Sequence, residues 1–404
     1  MKPLAQRIND IKPSGIRKYF DVQMKDLISL GAGTIEYDML DHVHTAAVRF
    51  IEEEFIGYTT NAGVLPLREA IADKLDRENG VRYEPSEILV TCGSSEAMAA
   101  IPLAVLEPGD EAILFDPAYS AFAPLVLLAN GKPVLIPTRG EDNWNPDPDE
   151  VEKAITPRTK LMFLNSPGNP TGAALSSETT EALAEIAIHH DLYVVSDELY
   201  EKVMFDGKKV LSPASLPGMR GRTFTVNGFS KGFGMTGWRV GYVACPHWLI
   251  QALTKAQQYA SICAPAISQA AALAALTGPT EPFERMMAEL DRRRHFIIDA
   301  MNEIDGVQAT PQDGTFYSFI DCRDYLREKG PAIRAFFKSS GVDELAPYEA
   351  EQLTDFLLLC GSVAVTAGTA FGESAEGWVR ISGASTMETL EPGLARVQQA
   401  MASL

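Results

Sequence analysis

Hydrophobic positions in this chain fall into a repeating alternation. Between about residue 64 and residue 270, short apolar runs are separated by longer stretches whose apolar residues recur at helical spacing. The runs predict strands at Glu87–Thr91, Ala112–Phe115, Val134–Ile136, Leu161–Leu164, Tyr193–Ser196, Thr223–Val226 and Val240–Ala244. The periodic stretches predict helices at Leu67–Leu75, Glu96–Leu106, Tyr119–Ala129 and from Ser176 through His190, where Ser177 and Glu178 suit a first turn. Apolar strands with little alternation, interleaved with helices, predict an α/β fold: a mostly parallel sheet covered by helices on both faces. Ligands of such sheets bind beyond the carboxyl ends of the strands.

The pattern changes after Thr277–Pro282. A long charged helix is expected over Glu284–Met301, then a less regular α+β stretch closing with strands at Gly361–Thr366 and Trp378–Ile381. This predicts a large domain over 46–283 and a smaller α+β domain over 284–404. Residues 1–45 lack a period of their own and are expected to form an arm packing on the small domain and on a partner subunit.

Composition narrows the partners. Among 404 residues there are 35 Lys+Arg against 54 Asp+Glu, a net charge of −19. That balance argues against a phosphate-backbone partner, so no nucleic acid is expected. The five cysteines are scattered and suit reduced thiols in cytoplasm. His189-His190 reads as a helix end, and no metal site is expected. The N-terminus lacks a signal-like apolar segment, and no apolar run reaches the roughly 18 residues of a membrane helix. A cytoplasmic protein with no membrane partner is the expectation.

The most informative stretch is Phe229-Ser-Lys-Gly-Phe-Gly-Met-Thr-Gly-Trp-Arg-Val-Gly-Tyr242. It contains G-x-G-x-x-G at Gly232–Gly237, the pattern of a dinucleotide site. That site needs a helix next and an acidic residue about 20 positions on. Here the following residues, Trp238–Ala244, read as a strand, and Ala256–Tyr259 holds no carboxylate. The dinucleotide reading fails on context. What remains is Lys231 at a strand end and Arg239 eight residues later. A lysine amine condenses with an aldehyde, and an arginine fork grips a phosphate. Pyridoxal 5'-phosphate carries both groups.

Other polar groups also follow directly on predicted strands: Gly93–Ser95, Asp116–Tyr119, Asn165–Asn169 and Asp197–Tyr200. With these motifs the chain resembles the fold-type I pyridoxal-phosphate aminotransferases, the aspartate aminotransferase-like class I/II family. The resemblance runs from Pro13–Arg17 to Val379–Ser382. It implies pyridoxal 5'-phosphate as cofactor and a homodimer with two shared active sites. Lys231 resembles the Schiff-base lysine that also shuttles a proton. Asp197 resembles the carboxylate pairing with the ring nitrogen, although a helix N-cap is its bland alternative. Tyr200 resembles the phenol on the cofactor's 3'-oxygen; by itself it would be a packing tyrosine. Asn169, in Asn165–Gly172 with its two X-Pro bonds, resembles the asparagine shared by that oxygen and the substrate carboxylate. Cis bonds are admissible in that rigid turn.

Gly93, Ser94 and Ser95 at a helix start, with Ser230 and Arg239, resemble the phosphate cup. Tyr58 resembles the tyrosine that reaches the partner subunit's phosphate, and Tyr119 the ring that stacks on the pyridine. Arg380 resembles the arginine holding the substrate α-carboxylate, with Gly33 the backbone site nearby. A structural arginine is the plain alternative for Arg380.

Three departures bear on substrate choice. Ser95 stands where some aspartate-specific relatives carry a lysine for the distal carboxylate. Ala367 replaces a usual proline, and Glu36 a usual aspartate. The expected activity is ping-pong transfer between an L-amino acid and a 2-oxo acid. Glutamate and 2-oxoglutarate form one pair, with an aromatic, aspartate-like or other neutral amino acid as the second donor. A C–S β-lyase on the same scaffold, and a pyridoxal-binding regulator, are the rival readings. Side-chain specificity is expected from residues near Ile16, Tyr19 and Ser261–Pro265, which the sequence does not orient.

Overall fold

A computed structural model describes every residue except 1, 3, 14, 18–23, 38–39 and 343. Its centre is a seven-stranded sheet, in chain order β1 Ile88–Thr91, β2 Glu111–Asp116, β3 Lys132–Pro137, β4 Thr159–Asn165, β5 Tyr193–Asp197, β6 Thr223–Gly228 and β7 Gly241–Ala244. The spatial order is β1-β7-β6-β5-β4-β2-β3, and only β7 runs antiparallel to its neighbours. Both faces are covered. Leu161 and Phe163 of β4 enter one core with Val195 and Phe224, while Met162 and Leu164 enter another with Leu183 and Val194. Alternate residues of a strand point to opposite faces, so a sheet buried on both sides needs an unbroken apolar run.

One helix begins where the sequence signals a cap. Ser176 accepts a hydrogen bond from the Thr179 N–H at 3.0 Å ahead of the helix Ser177–His189. The segment expected to be helical from Tyr119 starts three residues later, at Phe122. The G-x-G-x-x-G stretch forms a 3₁₀ turn, Thr236–Trp238, before β7, and no helix follows it directly.

A second core lies toward the C-terminus around Leu30, Ile297, Phe356 and Leu390. It packs under a three-stranded antiparallel sheet ordered Thr366–Ala367, Trp378–Ser382, Tyr317–Asp321. The helices Glu281–Asn302, Arg323–Ser339, Glu349–Gly361 and Met387–Ala402 complete it. The last three are regular where the sequence suggested irregularity. Gly330-Pro331 and Pro392-Gly393, which read as turns, lie inside two of them. The strand expected at Gly361–Thr366 is also not one strand. Val363–Ala364 pairs in parallel with Ile28–Ser29, and Thr366–Ala367 joins the three-stranded sheet. Helices Asp41–Glu53 and Glu281–Asn302 run across the two domain boundaries expected from sequence. Among the described residues, no helix is long and apolar enough to cross a membrane.

One close crossing ties the sheet to the site. A Cβ added at Gly241, the first residue of β7, would lie 2.5 Å from the Ser94 backbone nitrogen and 2.7 Å from the Gly93 carbonyl carbon. Backbone atoms cannot swing aside, so glycine is required there. Gly241→Ala is expected to destabilise the fold by about 2 kcal/mol. Urea unfolding should report a lowered midpoint; a midpoint equal to wild type would contradict the crossing.

Candidate active site

Beyond the carboxyl ends of the strands lies a cavity of about 380 Å³. It is lined by Lys231, Asp197, Tyr200, Asn169, Ser230, Ser94, Ser95, Tyr119, Arg239, Gly33 and Arg380, so it gathers eleven of the expected residues. Lys231 follows β6 by three residues and donates a hydrogen bond to the Gly33 carbonyl. Burial pulls its amine below the ordinary lysine value, as do Arg380 and Arg239, while Tyr317 and Asp197 oppose them. An amine so placed carries a lone pair more readily than one in water, as a nucleophile or base must.

Asp197 ends β5, buried, with one hydrogen bond from the Leu199 N–H at 3.2 Å. Among the described residues no cation forms an ion pair with it. Burial pushes its carboxyl up to about 7, against the pull of Leu199 and Lys231. The turn that follows is pinned from below. Buried Lys74 pairs with Glu201, and Asn79 donates to both Glu198 and Glu201, at 2.8 and 2.6 Å. Ser196 and Ser212 hydroxyls donate to Glu198 at 2.8 and 2.7 Å. Buried charges with this many partners fix a backbone, because releasing one leaves another unpaired. That backbone carries Asp197 and Tyr200.

Arg380, only 1% exposed, sits in the middle strand of the small sheet, opposite Phe319 and Thr366. Its guanidinium donates to the Asn169 side-chain oxygen at 2.7 Å and to the Gly31 carbonyl at 2.8 Å, and among the described residues Nε has no partner. Asn169 is held in turn, its N–H donating to the Asn165 side chain at 2.9 Å. Both X-Pro bonds of that turn, Ser166-Pro167 and Asn169-Pro170, are cis, as is Asp116-Pro117. A buried guanidinium facing a cavity is suited to an incoming carboxylate.

Ser94 and Ser95 open the helix Ser94–Val105, and Gly93 is its N-cap at φ 77°. Arg239 also has left-handed backbone, φ 51°, which turns its side chain onto Gly93. A Cβ on Gly93 would stand 2.5 Å from the Arg239 guanidinium. The N–H groups of Ser94 and Ser95 at the helix start and a guanidinium meet here, as an anion site requires. Tyr58 is not brought in: it is 83% exposed, away from the cavity.

Among the lining residues that sequence reasoning did not single out is Tyr317. It begins a strand the sequence did not suggest, and its only signal was the aromatic run Phe316-Tyr317 after Gly314. Of the residues left unoriented, Ile16 lines the cavity, whereas Tyr19 lies outside the described residues. Ser261 instead hydrogen-bonds Glu96, in the first turn of the helix that Gly93 caps. Glu36 accepts from the Thr386 N–H at 3.2 Å, and Ala367 pairs with Val379. His189 and His190 cluster with Glu152 at a helix end, with His190 2.6 Å from Glu152.

Pyridoxal phosphate fits this cavity on three grounds. The unpaired Asp197 carboxyl suits a cationic ring nitrogen, whose charge would restore its ionised form. The Gly93–Arg239 corner suits a phosphate. Lys231 lines the same cavity with its amine depressed. Sheet and cavity together define a fold-type I pyridoxal-phosphate enzyme.

Comparison with known proteins narrows the class. The chain matches the family "Aminotransferase class I and II" over residues 25–397. An aspartate aminotransferase of Pyrococcus abyssi is 39% identical, covering 98% of each chain. Aromatic-amino-acid aminotransferase 2 of Thermococcus litoralis is 36% identical, again over 98% of each. Among solved structures, the aspartate aminotransferase from Rhizobium meliloti superposes with a TM-score of 0.89 at 34% identity, over 100% of this chain and 99% of that one. The aromatic aminotransferase from Pyrococcus horikoshii gives 0.86 at 38%, over 96% and 99%. The chain belongs to the aminotransferase class I and II family, whose members use pyridoxal 5'-phosphate, and its activity is amino-group transfer. The relatives' names favour transfer over the β-lyase reading.

Asp197 yields a pH prediction for protein freed of cofactor. Its folded value, about 7, lies above its ordinary value of 3.8, so the folded chain holds this proton more tightly. The resulting stability is fully present below the lower value and lost as pH rises through the upper one. The melting free energy of wild type minus that of Asp197→Asn should fall by about 4 kcal/mol across that window. A difference independent of pH would contradict the burial of an unpaired acid.

Proposed function

We propose that Lys231 is the amine that binds the cofactor and then carries the proton removed from the substrate Cα. When bound, pyridoxal phosphate supplies an aldehyde that condenses with amines and a ring that accepts the electron pair left at Cα. Asp197 holds its carboxylate against the ring nitrogen and keeps that end of the cavity negative. Tyr200 donates its hydroxyl proton toward the 3'-oxygen, and Tyr119 covers one face of the ring. The N–H groups of the Gly93–Ser95 corner, Ser230 and Arg239 hold the phosphate. Arg380 and Asn169 orient the substrate α-carboxylate beside Gly33, so that the Cα proton faces Lys231 Nζ. Orientation of this kind contributes much of an enzyme's rate. The observation that carries this reading is the convergence of Lys231, Asp197 and Arg380 on one cavity from three separate segments of the chain.

Glutamate and 2-oxoglutarate are proposed as one substrate pair in a ping-pong exchange. The second donor is an aromatic, aspartate-like or other neutral amino acid. Serine at position 95 supports a pocket that does not depend on a lysine there for a distal carboxylate. A homodimer is part of the proposal, supported by the exposed rings of Phe55, Tyr58 and Tyr259, 91%, 83% and 86% accessible. In it, Tyr58 would reach the partner's phosphate. The large domain over 46–283 and the small one over 284–404 would meet at the cavity. A cytoplasmic location is supported by the free cysteines.

Lys231→Ala should abolish both the visible absorption of the bound cofactor and turnover. Near wild-type turnover would remove Lys231 from its role. Arg380→Leu should raise KM for every amino donor roughly a hundredfold, the ~3 kcal/mol of a charge-assisted pair. A mass-spectrometric panel of donors against 2-oxoglutarate reads both the effect and the preferred substrate.

A further inference from the structure

Tyr317 is buried at the start of its strand, where Thr315, at φ 65°, accepts its N–H at 3.1 Å. Its ring has polar groups on two sides. The Arg380 guanidinium lies over its face at 4.0 Å, with Phe371 on another side of that guanidinium at 4.7 Å. At its hydroxyl, Tyr200 Oη lies 3.3 Å away. Gly33 leaves room for both polar ends that meet there. A Cβ on Gly33 would stand 2.6 Å from Tyr317 Oη and 3.7 Å from Lys231 Nζ.

The direction of the phenol–phenol bond follows from the charges around it. Burial and then Tyr317 push the Tyr200 phenol well above the ordinary tyrosine value, with a smaller push from Tyr119 and a downward pull from Arg380. Burial also raises Tyr317, but Lys231, Arg380 and the hydrogen bond from Tyr200 together outweigh it and leave that phenol below the ordinary value. Lys231 in turn feels the charges of Arg239 and Asp197. Tyr200 is therefore the donor and Tyr317 the acceptor. A phenol has one proton, so Tyr200 cannot give it fully to Tyr317 and into the cavity at once.

We propose that Tyr317 is a positioning residue for amino-group transfer: its hydroxyl draws on the Tyr200 proton, and its ring fixes the plane of Arg380. It thereby tunes both the hydrogen bond Tyr200 gives into the cavity and the angle at which the guanidinium meets an α-carboxylate. This rests on the roles proposed above for Tyr200 and Arg380. The plainer possibility is an aromatic that only fills the core beside Phe316 and Tyr200.

Two substitutions separate the halves of the role. Tyr317→Phe keeps the ring and removes the hydroxyl. The Tyr200 proton is then free for the cavity and favours an anionic oxygen there. The visible band of the cofactor-loaded protein should titrate about one pH unit lower, the size expected of one hydrogen bond, while KM for amino donors stays within about twofold of wild type. Tyr317→Leu also removes the face beneath Arg380, and KM should rise roughly tenfold for all donors, as for a lost cation–π contact in a dry site. In cofactor-free protein, the absorbance of tyrosinate on raising the pH should show one phenol ionising below the ordinary range, missing from Tyr317→Phe. A packing role would leave band titration and phenol titration unmoved in Tyr317→Phe, and that result overturns the inference. A wild-type protein lacking the visible band overturns the site reading and this role together. A normal wild-type band whose pH dependence the variant leaves in place overturns this role alone.

Discussion

Burying the Asp197 carboxyl at the tip of β5 works against its charge, because an apolar setting penalises an ion without a partner. Among the described residues none pairs with it, and its proton affinity rises accordingly. Folded without its cofactor, the chain therefore holds an acid poised between protonated and ionised forms. A cation arriving at that position settles the matter in favour of the carboxylate. The same cavity depresses Lys231. The two shifts are complementary: one readies a negative group for a cationic ring, the other a neutral amine for a carbonyl.

Holding that acid in place requires the ground beneath it to be stiff. The Lys74, Asn79, Glu198 and Glu201 network lies directly under the Asp197–Tyr200 turn and takes its partners from three separate parts of the chain. On the other side of the cavity, the close passage of Gly241 under Gly93 and Ser94 sets where the helix N-terminus points. Arg380 arrives from the small sheet and is clamped by Asn169 from the turn after β4. This guanidinium thus ties the small sheet to a turn of the large domain.

Much of this was legible in the sequence. Most of the central strands carry near-continuous apolar runs, and a run of that kind has few alternatives when helical segments intervene. Most site residues of the large sheet were legible because they end a strand or follow one closely, where chain direction alone dictates position, whereas Arg380 lies within its strand. The C-terminal region was harder. Its helices contain Gly330-Pro331 and Pro392-Gly393, whose local preference tertiary packing overrides. Tyr317 was missed because a tyrosine at the start of a short strand looks like core, and only the approach of Arg380, Lys231 and Tyr200 gives its hydroxyl a task. Tyr58 stays exposed in a single chain, since the group it is expected to meet would belong to another copy.

The central claim is that one buried amine, set beside an unpaired acid, is the point of covalent attachment for the cofactor. Borohydride reduction of the protein saturated with pyridoxal phosphate, followed by peptide mass mapping, tests it directly. The added mass should fall on the peptide containing Lys231 and on no other lysine in comparable yield. Label spread over surface lysines, with Lys231 unmodified, would contradict the account.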